Sequence, residues 1–400
     1  MRKLVDPQTA RQGIRAAIPE LPAIDCPLSK CAGRVLRQSV VADRPFPPFN
    51  RATMDGYALR SAEVGEVDYF TVTAKAPAGA PAVSIGKGLG SCAEIMTGAV
   101  LPADADCVVP YESTERAENG AVRLKDPTPP APGDCVHAVG SDYPQGRALL
   151  QPGLLIGGRE IAVAASCGCA SLEVSKVPAI AIAATGDELV DIEADPAPHQ
   201  IRRSNDLSIE TSLARLHLHA KERRHLPDEP EALRGGLTAL IGNNRFVILS
   251  GGISMGKRDF IPELLEELGL ACAFHGVRQK PGKPMGFWSS PECAVFALPG
   301  NPISTLTCLH HYVIPAIRHA LGLRSESPPF EVVLEADLSV REDLHVFLPV
   351  RLTGGNRAQP CPPQNSGDLV RVLESHGSIE VPIGQSRAQS GKAYPFTPWH

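Results

Sequence analysis

Three apolar runs, "AIAIAATGDEL", "FVILSGGISMG" and "AVFALPGNPISTL", each end in a turn of small residues and each lead towards a helix-like stretch. Near-continuous apolar strands alternating with helices call for a parallel sheet covered on both faces. This pattern predicts an α/β domain over residues 178–325. Ligands of such sheets bind outside the carboxyl ends of the strands. The turns TGDE, SGGISMG and PGNPIS are therefore expected on one rim. Between the first two runs, "SNDLSIETSLARLHLHA" reads as a helix that Ser204 or Asn205 is placed to cap.

The flanking segments follow other patterns. Residues 8–44 read as a helix and then an extended piece, which Pro45, Pro47 and Pro48 bring to an end. Residues 50–133 alternate short β-rich runs with Gly/Pro turns, as a small all-β domain does, and the connector "DPTPPAPGD" closes it. A small-residue helix is expected over 157–168, packing back on the N-terminal helix, so that the β domain is an insertion. After Gly322 the segments "PPFEVVLEADLSV", "HVFLPVRL", "DLVRVLE" and "SIEVPIG" read as strands of a final small β domain. The expected division is 1–44 with 134–177, then 45–133, 178–325 and 326–400, a fold class of α/β plus β.

Composition excludes several functions. A net charge of −5 argues against broad binding to nucleic acid. No stretch reaches the roughly 18 apolar residues of a membrane helix, and the opening "MRKLVDPQTARQGIRAAIPE" lacks the apolar region of a signal peptide. The eleven cysteines are scattered without zinc-site spacing, which suits reduced, mostly buried thiols in a cytoplasmic protein.

The rim turns carry the chemistry. Gly251 and Gly252 either let backbone N–H groups face an anion or simply make a tight strand–helix turn. In "VRQKPGKPMGFW", Lys280 and Lys283 straddle a Pro-Gly turn, stiffened by prolines, that suits an oxyanion; two surface lysines without a task is the plainer reading. The carboxylates Asp187, Glu188, Asp228 and Asp259 suit a divalent cation beside phosphate, since Mg²⁺ takes one or two carboxylates plus phosphate oxygens and water. Solvated surface acids, or for Asp259 a helix cap, are the alternatives. The "HLH" at 217–219 and the pair His310-His311 show no metal-site spacing and read as core or surface.

With TGDE, SGGISMGKRDF, KPGKP and LPGNPIS in this order, the chain resembles the MoeA / gephyrin E-domain family, the molybdopterin molybdenumtransferases. "NRATMDGYAL" and "AEIMTGAVLPADADCVVPYE" resemble further family motifs, so the likeness runs over nearly the whole chain. It implies an elongated, four-domain homodimer with a MogA-like parallel-sheet α/β domain, an inserted β domain and a C-terminal β-barrel-like domain. It implies insertion of molybdate into adenylated molybdopterin with release of AMP, Mg²⁺ as cofactor, a site between protomers, and a molybdopterin adenylyltransferase as protein partner. Carried over by motif, Asp55 sits in MDGYA, Thr97 in IMTGA, Asp142 in "GSD", Glu188 in TGDE and Asp228 in "LPDEP"; with Asp259 they form the implied catalytic set. Asp187, Glu188 and Asp259 are the implied metal ligands. Lys280, Lys283 and Ser304 form the implied molybdate pocket, with Gly251, Gly252, Ser254, Pro299 and Pro302 beside them in their turns.

The chain also departs from the family pattern. The Arg usual after the Phe-x pair of the C-terminal domain is Pro349 here, with Arg351 two residues on and so on the same strand face as a substitute. Ser366 in "NSGDL" fits a second C-terminal donor, but Val370-Arg371 follow where small hydroxyl residues are usual. Ser141 stands where Glu is common, and Arg203 where an acidic or amide residue is. Two rivals to the insertase follow: a catalytically impaired relative acting as a pterin-cofactor binding or scaffold protein, and an adenylyl-transferring enzyme on the same α/β domain.

Overall fold

Asp6 opens the first helix, α1 (Pro7–Ala17), by accepting a hydrogen bond from Thr9 N at 2.9 Å, with Pro7 in the first turn where no donor is needed. The apolar face of α1, Ala10 and Ile14, joins the largest core of the chain. The computed structural model describes residues 4–253, 260–324, 330–365 and 367–399. They divide into two units, Met1–Arg37 with Pro152–Gly157 and Ser171–His400, and Gln38–Gln151 with Gly158–Ala170.

In the second unit, β1 (Gly56–Leu59), β2 (Thr71–Ala76), β3 (Ser91–Ile95) and β4 (Cys107–Pro110) form one sheet in the order β2-β3-β1-β4. Its two faces carry separate apolar clusters, one around Ala58, Ala93 and Ile95 and the other around Tyr57, Phe70 and Cys107. The expected small-residue helix forms as α2 (Gly158–Ser166) and belongs to this unit, whereas the strand Ser171–Ser175 pairs with Ala23–Pro27 in the first.

The first unit holds the α/β fold. In chain order its elements are β5 (Ile180–Thr185), α3 (Asn205–Ala214), β6 (Glu222–Leu226), α4 (Pro230–Asn243), β7 (Phe246–Ser250) and α5 (Ile261–Glu267). They continue with β8 (Ala271–His275), β9 (Gly286–Ser289), β10 (Ala294–Leu298), α6 (Pro302–Cys308) and α7 (Ile314–Ala320). The sheet order is β6-β5-β7-β10-β9-β8. The first four strands pair in parallel; β9 runs against them and pairs antiparallel with β10 on one side and β8 on the other, so the expected parallel sheet is a mixed one. The difference lies in "VRQKPGKPMGFW", whose Gly-Phe-Trp end is a buried strand rather than a loop. Alternation along each strand splits the apolar residues cleanly. Ile182, Ile248 and Phe296 face one core with α1, α3 and α7, while Ala183, Leu249 and Ala297 face the other with α4 and α5.

The C-terminal strands β11 (Glu331–Leu334), β12 (His345–Gly354), β13 (Arg357–Pro360), β14 (Gly377–Val381) and β15 (Ala393–Pro398) close on themselves, because β12 pairs with both β13 and β14. A closed barrel leaves no free edge among the five. One expected strand is absent: "DLVRVLE" forms a short helix, Leu369–Leu373, capped by Asp368, and three of its apolar side chains, Leu369, Val370 and Leu373, are exposed. A strand there would have needed a face to bury them.

Barrel and α/β domain meet at an ionic cluster. Glu380 of β14 accepts from Arg11 Nη2 at 2.7 Å and from His345 Nε2 at 3.1 Å, and His311 Nδ1 lies 3.5 Å away. His311 Nε2 faces Ser378 Oγ at 2.8 Å, so Nδ1 carries the proton directed at Glu380 when Ser378 donates. Burial opposes ionisation of Glu380, but the hydrogen bonds from His311 and His345 and the charge of Arg11 outweigh it and hold the carboxyl well below its usual range. Burial drives His311 the other way, towards its neutral form. A depressed carboxyl stabilises fully above its ordinary value of 4.5 and loses that contribution as pH falls below it. We expect Glu380→Ala to cost about 3–5 kcal/mol in denaturant unfolding at neutral pH, as for a broken buried pair. Glu380→Gln should flatten the fall of stability between about pH 5 and 3, in the window set by linkage.

Candidate functional site

From β5 the chain moves outward to β6 and then returns to the other side of β5 as β7. The reversal opens a crevice between the carboxyl ends of β5 and β7, the position where open α/β sheets take ligands. A cavity of about 640 Å³ occupies it, lined by Thr185 and Gly186 after β5, Gly251 and Gly252 after β7, and Pro299 and Pro302 after β10. The three turns therefore share one rim.

Gly251 and Gly252 have φ of +102° and +64°, a region costly for any side chain. A Cβ on Gly251 would stand 2.5 Å from Thr185 O, and one on Gly252 2.7 Å from Thr185 Oγ1. What approaches these glycines is thus the end of β5 itself, and the same turn then faces the cavity. Asn205 holds the assembly together: its Nδ2 donates to Ser250 Oγ at 2.9 Å and to Gly300 O at 2.8 Å. Ser204 is the N-cap of α3 but makes no side-chain cap bond, so the Ser-Asn pair serves the rim rather than the helix start.

Glu188 and Asp228 line this cavity. Asp187 does not; it is exposed and its Oδ1 accepts from Asp228 N at 3.1 Å, orienting the neighbouring acid through the backbone. Thr185 Oγ1 and Asp206 Oδ1, on residues 3% and 2% exposed, are buried in the same wall without a hydrogen-bond partner. Unpaired buried oxygens are uncommon, and two together mark this wall as polar and incompletely satisfied. Sequence reasoning passed over Asp206, which reads as an ordinary first-turn acid. Among the described residues, no three His, Cys, Asp or Glu side chains gather as a metal cluster.

A second cavity, of about 700 Å³, adjoins the first and shares Pro284, Pro299 and Asn301 with it. Lys280, Lys283 and the buried Ser304 line it, together with Phe347 and Pro349 from β12. No Asp or Glu is among its described lining residues. The lysine turn is fixed from beneath by the fully buried Gln279, which donates to Gly282 O at 3.3 Å and accepts from Tyr312 Oη. Gln279 and Lys280 also pair with His345 and Val346 of β12, so the turn is in register with the barrel.

Arg351 lies outside both cavities: it is exposed on β12 and donates to Gln359 Oε1 at 3.1 Å. The two-residue spacing from Pro349 does not bring it to the cavity wall, because Pro349 lies opposite Ser378 of β14, inside the barrel seam, while Arg351 lies opposite Gln359 of β13. Ser254, Asp259 and Ser366 fall outside the described residues.

The second unit gathers its own motif residues. Asp55 Oδ1 accepts from Thr97 N at 2.6 Å and from Thr97 Oγ1 at 2.7 Å, which joins the MDGYA and IMTGA motifs. The Thr97 hydroxyl and then its amide hold the Asp55 carboxyl below its usual value. Asp142 Oδ1 meets His137 Nε2 at 2.9 Å, and Arg51 Nη2 meets His137 Nδ1 at 3.2 Å. Arg51 can only donate, so Nδ1 is the acceptor and Nε2–H points at Asp142. His137 and Arg51 were not singled out by sequence reasoning; a histidine five residues before an acid carries no signal until the loop is folded.

Comparison with known proteins gives the following. Residues 5–168 match the family model described as the MoeA N-terminal region (domain I and II), and residues 181–319 match a probable molybdopterin binding domain. A molybdopterin molybdenumtransferase from Synechocystis is 37% identical over 374 residues, 92% of this chain and 93% of that protein. One from Synechococcus elongatus is 31% identical over 389 residues, 94% of this chain and 95% of that protein. The crystal structure of a molybdopterin biosynthesis MoeA protein from Pyrococcus horikosii superposes with a TM-score of 0.83 at 28% identity, covering all of both chains.

Thr97→Ala removes both the hydroxyl donor and its hold on the loop. In a carbon-detected NMR titration the Asp55 carboxyl should then move back up towards 3.8, and Thr97→Ser should retain the depression. An unchanged Asp55 titration in Thr97→Ala would show that the pair does not exist in solution.

Proposed function

The chain belongs to the molybdopterin molybdenumtransferase family, and from that premise we propose that it inserts molybdate into adenylated molybdopterin with release of AMP, within molybdenum cofactor biosynthesis. The observation that carries this reading is the pair of adjoining cavities on one rim. One presents Glu188, Asp206 and Asp228 beside Arg202, Arg203 and the glycine turns; the other presents two lysines and a buried serine, with no Asp or Glu among its described lining residues.

The division suits a substrate with two ends. A tetrahedral dianion needs several fixed donors. Lys280 and Lys283 stand on a turn already tied down by Gln279 and β12, and the buried Ser304 is fixed in α6, so little is left to order on binding. The shared edge at Pro284, Pro299 and Asn301 is where the pterin and nucleotide ends of the substrate would join. Glu188 and Asp228 are hard oxygen donors in the crevice, with the buried Asp206 in its wall, and one or two such carboxylates suffice for Mg²⁺, which fills its remaining positions with phosphate oxygens and water. When bound there, the ion supplies charge stabilisation to the AMP leaving group. Asp187 holds Asp228 in place from the surface. Asp55, Thr97 and Asp142 belong to the same reaction on the strength of their motifs and of their hydrogen-bonded pairing. The reading includes a homodimer, a cytoplasmic setting and delivery of substrate by a molybdopterin adenylyltransferase. In support of the setting, no helix among the described residues is long and apolar enough to cross a membrane.

One observation favours a second reading. Pro349 forms part of the cavity wall and has no N–H or side-chain donor, so that wall gives an oxyanion nothing at this point. A binding or scaffold protein that holds the pterin without turning it over would tolerate such a wall. Both readings meet in one assay: AMP release from adenylated molybdopterin with Mg²⁺, with and without molybdate. We expect molybdate-stimulated release, lost in the Lys280→Ala/Lys283→Ala double variant. Tight substrate binding with no release under either condition would replace the insertase by the scaffold.

A further inference from the structure

The cavity around Lys280 and Lys283 has a third cation, Arg341, contributed by the loop between the strand Leu338–Ser339 and β12. No Asp or Glu is among the described lining residues; Asp343, the partner of Arg341, stands outside the lining. The Arg341 guanidinium is held side-on by Asp343, with Nε 2.9 Å from Oδ1 and Nη2 2.6 Å from Oδ2. That pairing uses one edge of the group. Both N–H bonds of Nη1 and the second N–H of Nη2 remain, which is the end-on fork that grips an oxyanion.

The loop is not a free surface turn. Leu338 and Ser339 pair with Ala388 and Arg387, and Val340 N donates to Ser386 O at 2.9 Å. On the other side Arg278 Nε donates to Asp343 O at 3.1 Å, and His345 N donates to Arg278 O at 3.0 Å. Arg278 immediately precedes Gln279 and Lys280, whose backbone pairs with His345 and Val346. The Arg341 loop and the lysine turn are therefore stitched into one ladder. Arg351, by contrast, points to Gln359 away from the cavity.

We propose that Arg341 is the third cationic arm of the oxyanion site, a binding residue that takes the place Pro349 leaves without a donor, with Asp343 as its positioning residue; this rests on the insertase reading for the identity of the anion. Asp343 also moderates the site. It cancels part of the Arg341 charge in the empty cavity, where three bare cations would repel, and leaves the fork free for a dianion.

The test is calorimetric titration of the full-length protein with sodium molybdate and, separately, with sodium sulfate, in wild type, Arg341→Gln, Arg341→Lys and the Lys280→Ala/Lys283→Ala double variant. Loss of one charge-assisted contact predicts molybdate binding about 10- to 100-fold weaker in Arg341→Gln. Arg341→Lys should lie between the two, because it keeps the charge but not the fork. The side chain is 61% exposed, so thermal unfolding should be unchanged and a folding defect will not mimic the result. Wild-type affinity in Arg341→Gln together with lost binding in the lysine double variant overturns the role of Arg341 and leaves the insertase reading standing. Arg341-dependent binding of sulfate with no binding of molybdate keeps Arg341 as an anion ligand and overturns the insertase reading. No binding of either anion by the wild type overturns both.

Discussion

One side-chain amide, that of Asn205, reaches the ends of two strands from the start of a helix that follows a third. The rim of the α/β domain depends on that reach. β5, β7 and β10 would lie side by side in any parallel sheet, but parallel pairing fixes only the strands and says nothing of the turns beyond them. By donating to both Ser250 Oγ and Gly300 O, Asn205 ties the SGG and PGN turns to each other and to the start of α3, on the rim of the crevice they line. Gly251 and Gly252 complete the closure, since their missing side chains let the second turn settle on the carbonyl and hydroxyl of Thr185. The geometry of the site is therefore set by contacts within the protein before any ligand is present.

The contrast between the two cavities follows from which elements supply them. The crevice at β5 and β7 draws on loops that carry Glu188 and Asp228 together with Arg202 and Arg203, while the neighbouring cavity draws on the lysine turn and on the barrel, with no Asp or Glu among its described lining residues. The contrast over the shared edge of three residues therefore lies in where the carboxylates fall. Two lysines that line a cavity without a carboxylate beside them are a costly arrangement for a folded chain unless an anionic ligand occupies it.

Much of this was legible in the sequence, and the limits have physical causes. The alternation of apolar runs and helices predicted the α/β domain because both faces of its strands are buried, so that burial shows as uninterrupted hydrophobicity. The same logic misled at "DLVRVLE", where apolar residues lie on a short exposed helix, and at "MGFW", where a buried antiparallel strand follows directly on a turn. The stretch around Lys280 and Lys283 was legible as a stiff turn, since proline and glycine announce their conformations locally. Arg351 shows the opposite case. Strand periodicity placed it correctly on the face of Pro349, but a ten-residue strand that leaves one partner for another does not keep one environment along that face. Arg341 and Asn205 stand beside residues distant in sequence that only the closed barrel and the sheet order bring together; the sequence marks Asn205 only as a candidate helix cap and does not mark Arg341.

The strand β12 closes the barrel on both sides and, at its first residues, also pairs with Gln279 and Lys280. Its hydrogen bonds leave the lysine turn no independent existence. In evolutionary terms the barrel is then not a detachable appendage that recombination could exchange while leaving the α/β domain's chemistry intact. Any replacement of it would bring a new wall and a new register for the lysines, so that the lining of this cavity is inherited with the C-terminal segment as much as with the lysine turn.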